Sequence, residues 1–194
     1  TNGYEYKFTQ GDNGKLNYTV SATNVTLKNF IEGTLPGYNE NPATKTDPAT
    51  LSLTNDMGYS GTTANAANAN QLNTTLNINL NGHNLTNSGG SAMTVSTGSK
   101  TLNIDGGTGG STDLNFNVAG DGALVISGEI KLSGTLSGAG SFSNSGTLTV
   151  ENAANLRTTN TNGFVNTGIL KLGNATNSIL GADITGEEGV TYIM

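Results

Sequence analysis

Carboxylates are the side chains of this sequence whose types and spacing best suit chemistry. Asp105, Asp113 and Asp121 recur at even intervals around the run Gly106-Gly-Thr-Gly-Gly110. Oxygen donors beside glycine-rich turns are what a calcium ion takes up. A calcium-binding nonapeptide array, however, needs Gly-Gly-x-Gly-x-Asp in tandem, whereas here the pattern occurs once and Asp113 falls late. The three read as aspartates of exposed turns, and no metal is assigned. A second set, Asp105, Glu129 and Glu151, follows the period of the repeat described below, with Lys131 beside Glu129. Stacked carboxylates at such intervals are what glycosidic-bond cleavage by general acid–base catalysis requires. Yet Asp105 and Glu151 occupy one slot of the repeat, and Glu129 lies two positions further along. His83 is the single histidine, and an isolated surface histidine is ordinarily inert. No nucleophile motif or phosphate loop is present, since the glycines precede strands rather than helices. The expectation is a non-enzymatic protein without cofactors, with a polysaccharide-active enzyme as the last alternative.

The elements that must position these residues follow from a repeat. One pattern recurs: apolar, any, apolar, any, then Asn or Gly. It reads Val25-Thr-Leu-Lys-Asn29, Leu51-Ser-Leu-Thr-Asn55, Ile78-Asn-Leu-Asn-Gly82, Leu102-Asn-Ile-Asp-Gly106, Leu124-Val-Ile-Ser-Gly128, Leu148-Thr-Val-Glu-Asn152 and Leu170-Lys-Leu-Gly-Asn174. Apolar side chains two apart share one face of a strand. The Asn or Gly that follows suits the left-handed bend that ends it. Asn29, Asn55, Gly82, Gly106, Gly128, Asn152 and Asn174 are thus expected corners. Asn152 and Asn174 are expected to form a side-chain ladder.

The second apolar residues of these matches fall at positions 27, 53, 80, 104, 126, 150 and 172. Such steps are too long for one strand per repeat. The same pattern also occurs between them, at Phe116–Gly120 and Ile130–Gly134. Three strands per coil predicts an all-β fold, a right-handed parallel β-helix of about seven or eight coils. Leu53, Leu80, Ile104, Ile126, Val150 and Leu172 would form one interior column. An antiparallel sandwich has no reason to repeat at this period, and its core uses more large aromatics than the 6% found here.

Residues 1–24 read as an N-terminal cap or first strands, followed by the β-helix over 25–194. Two insertions, at about 30–50 and 57–76, interrupt it. The first holds Pro36, Pro42 and Pro48 with Tyr38 and Asn39; the second holds Tyr59 and the polar run Asn65–Gln71. Insertions at successive coils emerge on one side and often build a binding face. Tyr38, Asn39, Tyr59, Asn68 and Asn70 are the binding candidates. The terminal strands, with Tyr4, Tyr6 and Phe8 at one end and Val190, Tyr192 and Met194 at the other, are candidate assembly joints.

Composition bounds the partners. Gly, Asn, Thr and Ser supply 101 of 194 residues, and only 11% are charged. Disorder normally comes with high net charge and few β-formers, whereas the apolar residues here fall in alternating strand-like runs. A net charge of −6 with eight Lys and Arg argues against binding a phosphate backbone. Without cysteine the fold relies on no disulfide. No apolar run reaches the roughly 18 residues of a membrane span. Thr1-Asn-Gly3 carries no signal-peptide pattern, so for an exported chain the expectation is a signal that was removed or that lies outside this sequence.

From Gly122 to Asn177 the sequence resembles the passenger domains of autotransporter adhesins. The resemblance rests on Gly122-Ala-Leu-Val-Ile-Ser-Gly128, Leu136-Ser-Gly-Ala-Gly-Ser-Phe-Ser-Asn-Ser-Gly-Thr-Leu-Thr-Val150 and Asn166-Thr-Gly-Ile-Leu-Lys-Leu172, roughly a third of the chain. It implies export from a bacterium to the cell surface and a role in adhesion, aggregation or display. Partners would be surface glycans or proteins, or further copies of the chain. The alternative is a subunit of an extracellular fibre or surface layer joined through its terminal strands.

Overall fold

A computed structural model describes residues 6–10, 16–20, 24–35, 49–60, 63–112, 116–119, 122–150, 155–156, 164–172, 178–179, 184–186 and 191–193. The chain opens with β1 (Tyr6–Gln10) and β2 (Leu16–Val20), then α1 (Asn24–Glu32). The first turn of the wall is β3 (Ala49–Leu53), β4 (Met57–Tyr59) and β5 (Thr63–Asn65); the second is β6 (Thr75–Asn79), β7 (Asn84–Asn87) and β8 (Met93–Ser96). The third is β9 (Thr101–Asp105), β10 (Gly110–Thr112) and β11 (Phe116–Ala119); the fourth is β12 (Ala123–Ser127), β13 (Glu129–Leu132) and β14 (Thr135–Gly138). Further strands follow: β15 (Ser141–Asn144), β16 (Thr147–Val150), β17 (Asn155–Leu156), β18 (Phe164–Asn166), β19 (Ile169–Leu172), β20 (Ser178–Ile179), β21 (Ile184–Gly186) and β22 (Thr191–Ile193).

From β3 onward every third strand joins the same sheet, so three parallel sheets wind into a β-solenoid. Sheet A runs β1-β2-β3-β6-β9-β12-β15-β18-β21, sheet B β4-β7-β10-β13-β16-β19-β22, and sheet C β5-β8-β11-β14-β17-β20. Among the described pairings only β1–β2 is antiparallel. The expected seven or eight coils differ from what is described: β3 to β14 make four turns, and further strands carry the sheet order onward. No helix among the described residues is long and apolar enough to cross a membrane.

Alternation drives the fold, because inward residues are buried and outward ones are not in nearly every strand. In sheet A the inward column is Leu51–Ile78–Ile104–Ile126–Asn144–Asn166, each rung paired with the next. This corrects the expected column at both ends. Val150 and Leu172 belong to sheet B, stacked after Leu132. Strands of sheets A and B share the apolar-any-apolar rule, as β12, β13 and β16 do, so spacing alone does not reveal which sheet a match belongs to.

The first match of the pattern is a second correction. Val25–Asn29 lies in α1, and Asn29 is no corner. Leu27, Phe30 and Ile31 are buried together, the spacing of one helix face. Gly33 (φ +69°) ends the helix: its N–H donates to Phe30 O at 3.2 Å, and Thr34 N–H donates to Asn29 O at 2.9 Å. A Cβ at Gly33 would stand 2.5 Å from Asn70 O, so the turn after β5 fits closely over this end. Gln71, buried in that turn, donates through Nε2 to Phe30 O at 2.9 Å and Ile31 O at 3.1 Å, satisfying carbonyls that a helix terminus leaves open.

The helix packs against β4 and β5, the first strands of sheets B and C. Ala66 N–H bonds to Ser96 O at 2.8 Å, so in β5 the even-numbered amides face β8 and Thr63 and Asn65 face away. Lys28 Nζ donates to Thr63 O at 2.8 Å, and Asn65 N–H donates to Glu32 Oε1 at 3.1 Å. Lys28 and Glu32, paired with each other, thereby present the donor and acceptor that a neighbouring strand would have offered.

Candidate functional site

The residues singled out from sequence are dispersed. Tyr59 is not a surface ligand: it is fully buried, edge-on to Phe116 with ring centroids 5.5 Å apart. The reason is that the segment read as an insertion at 57–76 begins with β4 and β5, so alternation turns Tyr59 inward. Asn68 and Asn70 lie in the turn after β5, where Asn70 N–H donates to Asn68 Oδ1 at 3.0 Å. That turn braces α1 through Gln71, and Lys100 Nζ holds its carbonyls at Gln71 (2.8 Å) and Asn73 (2.6 Å). Tyr38 and Asn39 lie outside the described residues, as do Asp113, Asp121, Glu151, Asn152, Asn174, Tyr4, Val190 and Met194. Tyr6 and Phe8 are in β1, at the outer limit of sheet A, and Tyr192 is in β22.

Asp105 caps its own turn, accepting Gly107 N–H at 2.9 Å. It belongs to sheet A and Glu129 to sheet B, so the carboxylates aligned by spacing stand on different faces of the solenoid. Gly82 (φ +81°) and Gly128 (φ +65°) are left-handed corners as expected of them, with Asn81 (φ +49°) beside Gly82. Asn55 occupies the bend after β3, without a positive φ. Gly106 serves by close approach instead, since a Cβ there would meet Glu129 O at 2.0 Å.

His83 stands 3.8 Å from Asp56, measured from Nδ1 to Oδ1. Asp56 accepts Asn84 N–H at 2.9 Å and Asn84 Nδ2 at 3.0 Å. The backbone bond first, then the side-chain bond and the nearby imidazole, hold this carboxyl below the ordinary carboxylate value. Asn84 in turn accepts from Ser111 Oγ.

This bond begins a column that sequence reading passed over. On the outer face of sheet B, register aligns Asn84, Ser111, Lys131, Thr149 and Lys171. Beside it run Glu129, Thr147 and Ile169. The two columns flank an open groove of about 130 Å³. Its lining takes in exposed Gly109 and buried Gly110, with Lys131, Thr147, Thr149 and Lys171. Lys131 and Lys171 lie two strands apart, about 9.6 Å at the usual interstrand spacing. Ile169, 37% exposed, pairs with Thr147 on the next strand but is not part of the lining. The signal in the sequence was a lysine in the outward slot of two matches, Ile130-Lys-Leu132 and Leu170-Lys-Leu172. Only the observed pairing of β13 with β16 and of β16 with β19 brings the two into one column.

No protein-family model, curated protein or solved structure matches the chain.

Proposed function

We propose that the chain is a right-handed β-helix of a bacterial surface or secreted protein, acting without catalysis in adhesion, aggregation or display. The observation that carries this reading is the outer face of sheet B, where one ladder repeats Asn84, Ser111, Lys131, Thr149 and Lys171 from strand to strand. Such a ladder offers hydrogen-bond donors and acceptors at fixed intervals to a long partner. A surface built on paired strands keeps that spacing because its backbone is pinned on both sides. In the sheet A face, Asn103 Nδ2 to Asn77 Oδ1 (3.4 Å) and Ser127 Oγ to Asn103 Oδ1 (3.3 Å) tie outward residues to one another in the same manner. Resemblance to autotransporter passengers supports the export route.

The test is binding of the purified chain to a glycan array and to bacterial and epithelial cells. Saturable binding is expected; failure on every surface would refute adhesion. A second reading, a self-assembling subunit, is favoured by β1, the outermost strand of sheet A among the described residues. Edge strands are templates for further pairing, and negative-stain filaments of the purified chain would mark that outcome. In both readings α1 covers the start of sheets B and C.

A further inference from the structure

We infer that the sheet B groove is a binding site for a linear acidic polysaccharide laid along the solenoid axis. This rests on the adhesion reading above and specifies its ligand class. The groove draws its lining from β13, β16 and β19 and from the start of β10. It therefore extends over about three interstrand spacings, roughly 14 Å, crossing the strands rather than following them. An elongated open cleft of about 130 Å³ does not enclose a small molecule, which needs a pocket several times larger. It accepts one edge of a polymer. Gly109 is exposed and a Cβ there would meet nothing within 4 Å, so this part of the lining carries no side chain and a flat chain can approach closely.

Charge sets the class. The protein carries −6 overall with only eight Lys and Arg, yet two of these fall in this one cleft with Thr149 between them. Neither Lys131 nor Lys171 has an ion-pair partner among the described residues. Cations held two rungs apart match carboxylates recurring on alternate sugars, and Thr147 and Thr149 offer hydroxyls to the sugars between. Glu129, two positions before Lys131 on the same face, opposes the binding of anions and tunes it to be weak per contact. The lining includes no aromatic residue, which removes the stacking platform that single-stranded nucleic acids use. It also lacks the large anchor typical of a protein hot spot.

The experiment is affinity electrophoresis and biolayer interferometry of the whole chain against polygalacturonate, neutral dextran and single-stranded DNA, at low salt and at high salt. Retardation by polygalacturonate alone, lost at high salt, is expected. Lys131→Met and Lys171→Met should each weaken it about two- to fivefold, and the pair about tenfold or more, as for exposed ion pairs. Glu129→Gln should strengthen it. Thermal melting checks folding, which these outward substitutions should leave intact. Equal binding by the double variant, or equal binding of DNA, would overturn the assignment. If the double variant loses polygalacturonate but keeps its cell binding, the groove is confirmed and adhesion has a second contact. If no polymer binds while cells do, this inference fails and the adhesion reading stands; if nothing binds, both fail.

Discussion

The early and late turns of the solenoid solve one problem in opposite ways. In the early turns the inward column of sheet A is hydrocarbon, Leu51, Ile78 and Ile104, and the residue two further on is buried Leu53 or Leu80. From Ile104 the next rungs are Ile126, Asn144 and Asn166, closer together along the chain than the early ones. There the corner leucine becomes Gly106, Gly128, Gly146 and Gly168. Without side chains, the corner backbones stack closely: a Cβ on Gly146 would meet Gly128 O at 2.1 Å, and one on Gly168 would meet Gly146 O at 2.1 Å. Tightening the corner brings backbone polar groups inward, and the column changes to Asn144 and Asn166, both fully buried. Asn144 accepts Gly146 N–H at 3.1 Å and donates to Asn166 Oδ1 at 2.7 Å and Ile169 O at 3.1 Å. The wide turns are held by apolar burial; the glycine corners begin while the column is still Ile104 and Ile126, and the amide ladder takes over at Asn144 and Asn166.

The comparison breaks most visibly at its glycines. Gly146→Ala forces backbone apart, and should cost more than about 3 kcal/mol or prevent folding. Gly82→Ala, at an early corner, meets nothing nearer than Thr108 O at 3.4 Å and should cost only the left-handed penalty of about 1–2 kcal/mol. Urea unfolding followed by circular dichroism measures both. Equal losses would show that close stacking does not set the late turns. Next in size is Asn144→Ile, which extends the hydrocarbon column by one rung. It leaves Gly146 N–H and Ile169 O without this partner, so about 2–3 kcal/mol should be lost despite the added apolar volume. A neutral result would mean that the ladder is replaceable by packing. A double-mutant cycle with Asn166→Ala should then show coupling of about 1 kcal/mol.

These two turn types explain what was legible in the sequence. The pattern apolar-any-apolar-any-Asn/Gly revealed strands, parallel stacking and the left-handed corners at Gly82 and Gly128, because alternation and left-handed bends leave local marks. It did not assign strands to sheets, since sheets A and B end by the same rule. It misread Val25–Asn29, because so short a window holds too little of the helical period, and Phe30 and Ile31 were needed to complete the face. The ladder was placed at Asn152 and Asn174, outside the described residues, while Asn144 and Asn166 form one in the same repeat pair. Tyr59 looked like a ligand only while its segment was taken for a loop. The sheet B groove was invisible because it depends on register between strands, a long-range quantity.

At the early end of the solenoid, the stand-in for a strand offers a sharper test. Lys28→Ala with Glu32→Ala removes the groups that engage Thr63 O and Asn65 N–H. Both are surface interactions, so the stability lost should stay below about 2 kcal/mol. The freed edge of β5 should show instead as concentration-dependent association by size-exclusion chromatography. A chain that stays monodisperse would mean that helix packing, through Leu27, Phe30 and Ile31, closes this end without the polar pair.

The smallest effect concerns Asp56, also in the early turns, where a carboxylate rather than an amide holds the next rung by accepting both Asn84 donors. Its pKa in the folded chain lies below the ordinary 3.8, so the folded state binds this proton less readily than the unfolded one. The resulting stability is present above 3.8 and is lost as pH falls through the lower folded value. The late ladder contains only amides and has no such dependence. Asp56→Asn should therefore leave the acid limb of the melting curve shallower below 3.8, while Asn144→Ile lowers stability at every pH alike. Because Asp56 is exposed, solvent screens its bonds and the shift should be slight. Identical acid limbs in wild type and Asp56→Asn would place the pH response elsewhere than this rung.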